Sequence, residues 1–504
     1  MLQGAGSLIL FKNKLGGCLI SALLLVILFT ISGCAGKPTI QVEELDIPIP
    51  KSWMTSFPVN KGVTGQWWLS FQDTVLIKYL DQLNNESPTI KTLIENGNLA
   101  RYNAQISSAS KFPAINLNAR LDTNVQNLSG FGFASSLLSE DSSSSDSESN
   151  GNNIVSFGNT SASLGLNLQW EIDIWGRLIN GRKAAYKDFD ALRYDLIYLQ
   201  FSTSVKAAQL YFKGKESAAQ LALSKDSYKS LVEIRDLVKD RYEKGLRPSL
   251  DYRLAETSVA TSIVTIENKK NQLKSINRQL EILIGHYPSG DFIQVGGMPK
   301  TLPDVPTEIP ANLLERRPDI QSLISKMESN NYRIAESRRN LLPGISLNGS
   351  AGTSAQSIED VLNKDYGVWN LGLNVTAPIF NGKRLRSLVK VQEATFEKSK
   401  QGLIKGVLRA FSEVEQLLES SESLVIQINA LEIALKQSRD AYSLSKERYD
   451  SGVTPLESVL NSQRQYNNIK SQFITMQRLV IENRLSLILA LGGDTSKKQN
   501  YNNK

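Results

Sequence analysis

The stretch LGLNLQWEIDI, from Leu164 to Ile174, alternates strictly between apolar residues and polar or small ones. Period-two alternation over this length predicts a β-strand with one apolar and one polar face. A tilted strand that crosses a bilayer needs about 9 to 11 residues, and Trp170 and Trp175 belong to a residue type that anchors at membrane interfaces. The stretch therefore has the length and composition of a transmembrane β-strand.

The same pattern occurs at three further places in the chain. WNLGLNVTAPI runs from Trp369 to Ile379, and shorter alternations begin at Ile115 and at Ile345. Four strands cannot close a membrane barrel, because the smallest such barrels have about 8 strands and open sheet edges do not occur in hydrocarbon. If the strands lie in a membrane, several copies of the chain must share one barrel. The strands alone leave a second interpretation open, a soluble antiparallel sheet with one buried face.

The N-terminal residues have the layout of a secretory signal peptide. Lys12 and Lys14 precede an apolar run from Leu19 to Ile31, and small residues follow it. The run is too short for a comfortable membrane-spanning helix. We therefore predict a signal peptide over residues 1–33, whose cleavage also removes Cys18.

The end of this segment, Ile31-Ser32-Gly33-Cys34, resembles the bacterial lipobox, whose cysteine is diacylated and becomes the mature N terminus. The resemblance predicts that Cys34 is a lipid anchor; a chance cysteine after a signal peptide is the alternative. A mature chain with this one cysteine has no internal disulfide and no cysteine cluster for a metal. Residues 34–66 are polar and contain four prolines, so we predict an extended tether.

The rest of the chain is a tandem repeat. The segment Phe112 to Asn118 recurs as Leu342 to Asn348, displaced by 230 residues, whereas Arg241-Tyr242 recurs as Arg448-Tyr449, displaced by 207. The smaller second displacement means that the first repeat has extra residues between its strands. These include Ser139 to Asn150, an acidic, serine-rich tract with little to bury, which we predict to be a flexible hairpin loop.

Each repeat reads helix, strand, strand, long helix, turn, long helix. The helices after Gly181 and Gly382 are predicted to run for roughly 60 residues, or about 90 Å, and Leu403, Leu417 and Leu431 mark a heptad seam. The predicted organisation is a first repeat over 67–284 with a β-hairpin at 113–176 and a helical hairpin at 182–284, an irregular connector over 285–315, a second repeat over 316–492 with a β-hairpin at 344–380 and a helical hairpin at 383–492, and a flexible tail over 493–504.

The turns between the long helices are copies of each other. Gly245 and Gly452 are predicted to end their helices in the left-handed conformation. In the second turn, Thr454 is predicted to cap the returning helix, with Pro455 at its first position and Glu457 completing a capping box.

An Arg-Tyr pair precedes each of these glycines, as Arg241-Tyr242 and as Arg448-Tyr449. Helix capping does not require such a pair. The duplication therefore predicts a binding or gating role at the tips of the helical hairpins. A well-formed helical hairpin with no further role is the alternative.

Several motifs point together to one family. They are Leu313 to Ile320, Asp173 to Arg177, Pro378 to Gly382 and the two Arg-Tyr-x-x-Gly tips. Jointly they resemble the TolC-like outer membrane efflux channels, in their OprM/NodT lipoprotein branch, over nearly the whole chain after Cys34. The resemblance implies an α+β membrane protein and a homotrimer, in which each tandem-repeat protomer gives four strands to a twelve-stranded β-barrel and the long coiled-coil helices form an α-helical tunnel through the periplasm.

The resemblance also implies a function and partners. Such channels are lipid-anchored exit ducts in the outer membrane of Gram-negative bacteria, and they pass small molecules such as drugs passively from the periplasm to the exterior. A periplasmic adaptor docks at the helix tips, and an inner-membrane transporter, here of the RND type, drives the pump. The tip residues that match are Arg241, Tyr242, Gly245, Arg448, Tyr449 and Gly452. A type I protein secretion duct and a non-conducting trimeric coiled-coil tether are the alternatives.

In this family, rings of side chains at the closed tip set the pore constriction, and the matching positions here are Glu457, Asn461 and Arg464. Asn461 stands where many members have an aspartate, so the usual acidic ring is an amide in this chain. Glu457, one helical turn earlier, could supply three negative charges unless the helix cap engages it. A ring of carboxylates would favour cations at the mouth. The sequence therefore does not decide which of these residues narrows the pore.

The chain lacks the sequence patterns of catalytic sites. It has one histidine, His286, and we find no phosphate-binding glycine loop, no metal-ligand spacing and no nucleophile paired with a base. We therefore expect no enzymatic activity, no cofactor and no metal. The net charge of +7 comes from basic and acidic residues interspersed along the helices, which is typical of solvated coiled-coil faces and does not indicate nucleic-acid binding.

Overall fold

A computed structural model describes residues 49–54, 67–127, 156–292, 297–299, 302–303, 310 and 315–492 of the 504-residue chain. The predicted signal peptide, Cys34, most of the tether, the serine-rich tract at 139–150 and the C-terminal tail lie outside the described residues. Among the helices in the described ranges, none is both long enough and apolar enough to span a bilayer.

The two repeats have the same order of elements, as their duplicated motifs predict. The first repeat contains a 3-10 helix at Trp67–Phe71, α1 at Thr74–Glu86, α2 at Pro88–Ala109, β1 at Ala114–Asn127, β2 at Ser156–Glu171, α3 at Arg177–Glu243 and α4 at Ser249–Leu283. The second contains α5 at Pro318–Arg339, β3 at Gly344–Ala355, 3-10 helices at Glu359–Leu362 and Lys364–Tyr366, β4 at Gly367–Thr376, α6 at Arg384–Asp450 and α7 at Leu456–Ala490.

The helical hairpins of the two repeats have equal lengths. Helices α3 and α6 have 67 residues each and α4 and α7 have 35 each, so the long helices extend for about 100 Å. Helix α3 begins at Arg177, before the predicted start at 182, because the chain turns from strand to helix at Gly176, which has a φ of 75°. Helix α6 begins after the equivalent turn, where Gly382 and Lys383 both have positive φ.

The four strands form one antiparallel sheet in the order β1-β2-β3-β4. The register places Leu117 opposite Leu166, Leu166 opposite Ala351 and Ala351 opposite Trp369, so the apolar residues of all four strands share one face. Leu117 is 68% exposed and Trp369 80% exposed. In a soluble sheet, the helices of the same chain would bury this apolar face. Here they leave it exposed.

The polar face of the sheet contains a point of very close strand approach. Gly165 and Gly352 are paired across β2 and β3. A Cβ atom on Gly352 would overlap the carbonyl oxygen of Leu164 and the Cα atom of Gly165. Only glycine fits where two backbones come this close.

The helices pack side by side around α3 and α6. Near the sheet the lateral order is α2, α3, α5, α6, and towards the tips it is α4, α3, α7, α6. Helices α2 and α4 thus both contact α3, α2 near the sheet and α4 towards the tip. Helices α5 and α7 likewise both lie between α3 and α6, α5 near the sheet and α7 towards the tip. Of the predicted heptad seam of α6, Leu403 is buried together with Val407, Ala410 and Val414, whereas Leu417 and Leu431 are only partly buried.

Candidate functional site

The tips of both helical hairpins end in the same turn. Gly245 and Gly452 have φ values of 73° and 76°, in the left-handed region. The next residue donates its backbone N–H to the carbonyl of the copied arginine, Leu246 to Arg241 and Val453 to Arg448, both at 2.8 Å. This is the Schellman pattern that glycine favours at a helix end.

The predicted capping box at the start of α7 does not form, so that prediction is wrong. The helix begins at Leu456, and Pro455 is the N-cap with an extended ψ of 158°. Thr454 therefore lies one residue too early to cap, and its buried hydroxyl has no hydrogen-bond partner. Because no cap engages Glu457, its exposed carboxylate remains available to the tip surface.

Arg241 connects the tips of the two repeats. Its guanidinium donates to the backbone carbonyls of Tyr449 and Asp450, both at 3.3 Å, and lies 3.9 Å from the Asp450 carboxylate. A cation that hydrogen-bonds the last carbonyls of a helix stabilises its C-terminal end. Although capping of its own helix does not require the Arg-Tyr pair, Arg241 thus caps the end of the long helix of the other repeat.

Tyr449 lies at the centre of a cluster that joins the repeats. Its side chain is 1% exposed, and Arg241 and Arg247 lie over its ring at 5.2 and 5.0 Å from the centroid. Burial raises the pKa of its hydroxyl, which therefore stays neutral. The tip cluster comprises Ile234, Val238 and Ala255 of the first repeat and Tyr449, Leu456, Val459 and Leu460 of the second.

The other two residues of the duplicated pair, Tyr242 and Arg448, have a different environment. Tyr242 is 41% exposed and stacks on Tyr252, with ring centroids 5.8 Å apart. Arg448 is exposed. One copy of each residue therefore holds the two repeats together, and the other copy faces outward.

The three candidate constriction residues lie on one face of α7. Glu457, Asn461 and Arg464 are all exposed and follow each other at helical spacings of four and three residues. Arg464 donates a hydrogen bond to the Asn461 amide oxygen. The structure thus brings the three side chains together as a polar stripe below the tip cluster.

Sequence reasoning missed Arg247 as a tip residue. Arg247 follows Gly245 by two residues, but it is not duplicated, because the copied position in the second repeat is Thr454. Within the first repeat alone, the pattern of a helix-ending glycine followed two residues later by a cation could have indicated Arg247 as a tip residue.

A buried charged network anchors the start of the first repeat. Asp73 caps α1 by accepting from the backbone N–H groups of Val75 and Leu76, both at 3.1 Å. It also accepts from the Lys215 ammonium at 2.7 Å and from the Tyr211 hydroxyl at 2.9 Å. Burial alone would raise the pKa of Asp73, but the hydrogen bond and charge of Lys215 and the Leu76 N–H outweigh it, so the pKa lies below its ordinary value.

The family motif at Arg317 has a matching role in the second repeat. The buried guanidinium of Arg317 binds Asp319 through two hydrogen bonds of 3.0 and 2.7 Å. It also donates to Glu413 on α6 at 3.0 Å and to the Ala490 carbonyl at the end of α7 at 3.1 Å. The motif therefore fixes the start of α5 to both helices of the second hairpin.

A four-stranded sheet with an exposed apolar face, joined to helices of this length, defines the protomer of an outer membrane channel. Residues 79–286 and 309–493 match the family model described as outer membrane efflux protein. The chain belongs to this family, and the predicted resemblance to TolC-like channels is confirmed.

Relatives of known name support this assignment. The chain is 26% identical over 482 residues to the pyoverdine export outer membrane protein OpmQ of Pseudomonas aeruginosa, covering 94% of this chain and 96% of OpmQ. It is 26% identical over 483 residues to the outer membrane protein OprJ of the same species, covering 94% and 95%. The chain is also 26% identical over 328 residues to the toluene efflux pump outer membrane protein TtgF of Pseudomonas putida, covering 65% of this chain and 68% of TtgF.

Solved structures show the same fold. The CmeC outer membrane channel of Campylobacter jejuni superposes with a TM-score of 0.79 at 21% identity, covering 92% of this chain and 95% of CmeC. The open state of the MtrE outer membrane channel of Neisseria gonorrhoeae gives a TM-score of 0.76 at 20% identity, covering 92% and 98%. The chain thus has the fold of an efflux channel protomer along nearly its whole length.

Proposed function

We propose that this protein is the exit duct of a tripartite efflux pump, passing small molecules such as drugs from the periplasm to the exterior through a trimeric tunnel. The observation that carries the proposal is the exposed apolar face of a sheet with only four strands. A barrel of twelve strands needs three such sheets, and closed cyclic symmetry supplies them. The exposed face argues against a coiled-coil tether with a soluble sheet, and the export and efflux names of the relatives favour efflux of small molecules over type I protein secretion.

The proposed partners meet the channel at its periplasmic tips. The six copied tip positions form the docking region for an adaptor protein, and the inner-membrane transporter is of the RND type. Arg241 and Tyr449 hold the tip in shape, whereas Leu246 and Val453 at the same turns are 69% and 72% exposed. Two exposed apolar side chains at copied positions suit docking against an apolar surface of another protein. We assign the protein no catalytic role, no cofactor and no nucleic-acid partner.

The proposal is tested in a deletion strain. Loss of the gene is expected to increase susceptibility to several unrelated drugs by several-fold, and the purified channel is expected to bring down an adaptor and a transporter. Unchanged susceptibility together with loss of a secreted protein would favour type I secretion. Extraction by high salt without detergent would favour the soluble tether.

Cys34 is expected to be the lipidated N terminus of the mature protein. The small residues before it fit cleavage directly at the cysteine, which acylation on sulfur then ties to the membrane. Mass spectrometry of the mature N-terminal peptide should show a diacylated cysteine at position 34 and no residue before it. An unmodified N-terminal residue would contradict the lipid anchor and leave the channel proposal intact.

Replacing Arg241 by glutamine is expected to loosen the tip and so raise the open probability of the proposed channel. The substitution removes two hydrogen bonds from a charged donor to the end of α6, and such a bond contributes about 1.5 to 3 kcal/mol. The loss of even one such bond, at about 1.5 kcal/mol, corresponds to a rise in open probability of at least roughly tenfold, measured by single-channel recording in planar bilayers. Lys244→Gln is the control, because its pair with Asp240 is exposed and contributes little. Equal opening in both variants would contradict the role of Arg241.

Glu457 is proposed to supply the charge of the pore constriction. Its carboxylate is exposed and takes no part in a cap, so three copies would attract cations at the closed end. Glu457→Gln is expected to reduce cation preference, measured as the reversal potential under a salt gradient. Adding Asn461→Asp moves the charge by one helical turn and should restore the preference. An unchanged reversal potential in Glu457→Gln would place the constriction elsewhere.

A further inference from the structure

The loop between β3 and β4 folds back onto the sheet. It comprises residues 356–366, with 3-10 helices at Glu359–Leu362 and Lys364–Tyr366. The first of these helices contacts β2 and β3, and the second contacts β3. The hydroxyl of Thr353 on β3 donates a hydrogen bond to the backbone carbonyl of Val361. The loop therefore lies over the ends of the strands that it follows.

The face that the loop covers is the apolar one. Side chains of a strand alternate between the two faces, so Thr353 points to the same side as Ala351, which lies opposite Trp369 on the apolar face. Ala162 and Ala355 pair across β2 and β3 at this end of the sheet and point to the same side. They are 2% and 5% exposed, in contrast to the exposed Trp369. The loop thus shields a small patch of a face that elsewhere stays open.

We propose that this loop is a lipid-contact element, which lies against the outside of the barrel at the headgroup level of the outer leaflet and inserts Ile358 and Leu362 among the acyl chains. The inference rests on the proposed channel, whose barrel turns the apolar face of the sheet towards lipid. It adds that the loop points away from the lumen and forms no lid over the exit.

The loop lies at the exterior end of the sheet. Helix α5 leads into β3 at Gly344, and β4 leads out at Thr376 towards α6, so both helices adjoin the same end of this hairpin. The loop joins the two opposite strand ends. In an outer membrane channel whose helices extend into the periplasm, these ends are on the side of the outer leaflet.

The loop divides its side chains as an interfacial segment does. Val361, whose carbonyl binds Thr353, is partly buried, whereas Ile358 and Leu362 are 64% and 83% exposed. The charged residues of the loop are Glu359, Asp360, Lys364 and Asp365. Amphipathic segments at a membrane interface place their apolar side chains at the acyl boundary and their charged ones in water. Exposed apolar and charged side chains in one loop fit this position.

The depth of the loop follows from its neighbours on the sheet. Gly367, the first residue of β4, pairs with Thr353, and Trp369 follows two residues later on the apolar face. Tryptophan is enriched where hydrocarbon meets the headgroups. Irregular backbone that is exposed to lipid does not occur within the hydrocarbon region. The backbone of the loop therefore lies at the headgroup level, and only side chains reach deeper.

Hydrogen bonds within the loop give it a compact shape. The Ser357 hydroxyl donates to the Asp360 carboxylate at 2.8 Å, and the backbone N–H of Asp365 donates to the Asn363 side chain at 3.1 Å. The backbone N–H groups of Asn363 and Tyr366 donate to the carbonyls of Asp360 and Asn363 at 3.0 and 3.2 Å. These bonds close two consecutive turns. The loop is thus a folded unit, and its bond to β3 sets the side of the sheet on which it lies.

Fluorescence quenching in the full-length protein tests where the loop lies. A fluorescent maleimide is attached to Leu362→Cys, the protein is reconstituted into phosphatidylcholine vesicles, and the wild type treated in the same way gives the background. Phosphatidylcholine brominated near the top of its acyl chains is expected to quench most of the fluorescence, and iodide on both sides of the membrane is expected to quench little. Strong quenching by iodide and none by the brominated lipid would overturn the proposal and indicate a loop folded over the exit.

Two matched labels separate this inference from the proposed function. Leu373→Cys lies on the apolar face of β4 and should respond to the brominated lipid only, whereas Ser350→Cys lies on the polar face of β3 and should respond to iodide only. If Leu373→Cys did not respond to the brominated lipid, the barrel and the proposed channel would fail. If Leu373→Cys responded and Leu362→Cys did not, only the loop proposal would fail.

The contact that holds the loop on the apolar face is tested by Thr353→Val. This substitution removes the hydroxyl that binds Val361 and keeps the shape of the side chain. The Leu362→Cys label is then expected to lose part of its quenching by lipid and to gain quenching by iodide. Ser354→Val is the control, because Ser354 is the next residue on β3 and points to the opposite face. Equal quenching in the two variants would overturn the role of Thr353 in placing the loop.

Discussion

Replacing Asp73 by alanine is expected to destabilise the protein by about 3 to 5 kcal/mol, because the Lys215 ammonium would be left buried without its carboxylate. The Lys215 side chain is 5% exposed, and its other hydrogen bond goes to the neutral carbonyl of Gly297. The substitution also removes the cap of α1, which contributes about 1 kcal/mol. The loss should appear in urea unfolding of the purified protein in detergent, followed by its helical circular dichroism.

Two further variants separate the contribution of the Asp73 charge to stability from the contribution of its helix cap. Asp73→Asn keeps a capping side chain and removes the charge, so it should be less destabilising than Asp73→Ala by about 1 kcal/mol. Adding Lys215→Met to Asp73→Asn removes the unpaired cation and should recover most of the stability. If the double variant were as unstable as Asp73→Asn alone, the ion pair would not be the source of the effect.

The same network predicts a dependence of stability on pH. The folded protein lowers the pKa of Asp73 below its unfolded value of about 3.9. Its contribution is therefore fully present above the unfolded pKa and is lost as the pH falls through the lower folded pKa. The stability difference between the wild type and Asp73→Asn should be constant near neutral pH and shrink only in strong acid. A difference that already disappears near pH 6 would contradict this assignment.

Replacing Gly352 by alanine is expected to prevent most of the protein from assembling in the outer membrane. The added Cβ would overlap the backbone of β2 at Leu164 and Gly165, and backbone cannot move aside as a flexible side chain can. Overpacking alone costs about 1 to 3 kcal/mol, and here two strands would also have to part. The amount of trimer in outer membranes, measured by immunoblot of unheated samples, should fall strongly.

Gly372→Ala is the matched control. Gly372 lies on the same polar face, on the neighbouring strand β4, and a Cβ atom there meets nothing within 4 Å. This variant should assemble like the wild type. Equal assembly of Gly352→Ala and Gly372→Ala would show that the close approach of β2 and β3 does not constrain the sheet.

Features set by local sequence patterns were predictable from the sequence. The alternation from Leu164 onwards gave a strand because side-chain direction in a strand depends only on residue parity. The tip turns at Gly245 and Gly452 were predictable because the left-handed conformation favours glycine at a helix end. The shared fold of the repeats followed from their duplicated motifs.

Features that depend on distant residues were not predictable in this way. The contact between Arg241 and the end of α6 joins residues more than 200 positions apart. Asp73 and Lys215 are likewise far apart, although Asp73 before a helical pattern is a recognisable N-cap signal. The predicted start of α3 at residue 182 is too late, because the helix already includes Gly181. In the structure it is a packing position within the helix, where a side chain would meet the Glu336 carboxylate.

The equal lengths of the two helical hairpins restrict which insertions and deletions the protein can tolerate. Inserting or deleting one residue in α3 or α6 shifts the tip by about 1.5 Å and rotates it by roughly 100° relative to its partner, which would separate Arg241 from the end of the other long helix. Only paired indels of the same size in both halves keep the two ends level. Lineages of this protein should therefore vary in length between β1 and β2, where no such matching is needed, and keep a fixed residue count in each hairpin.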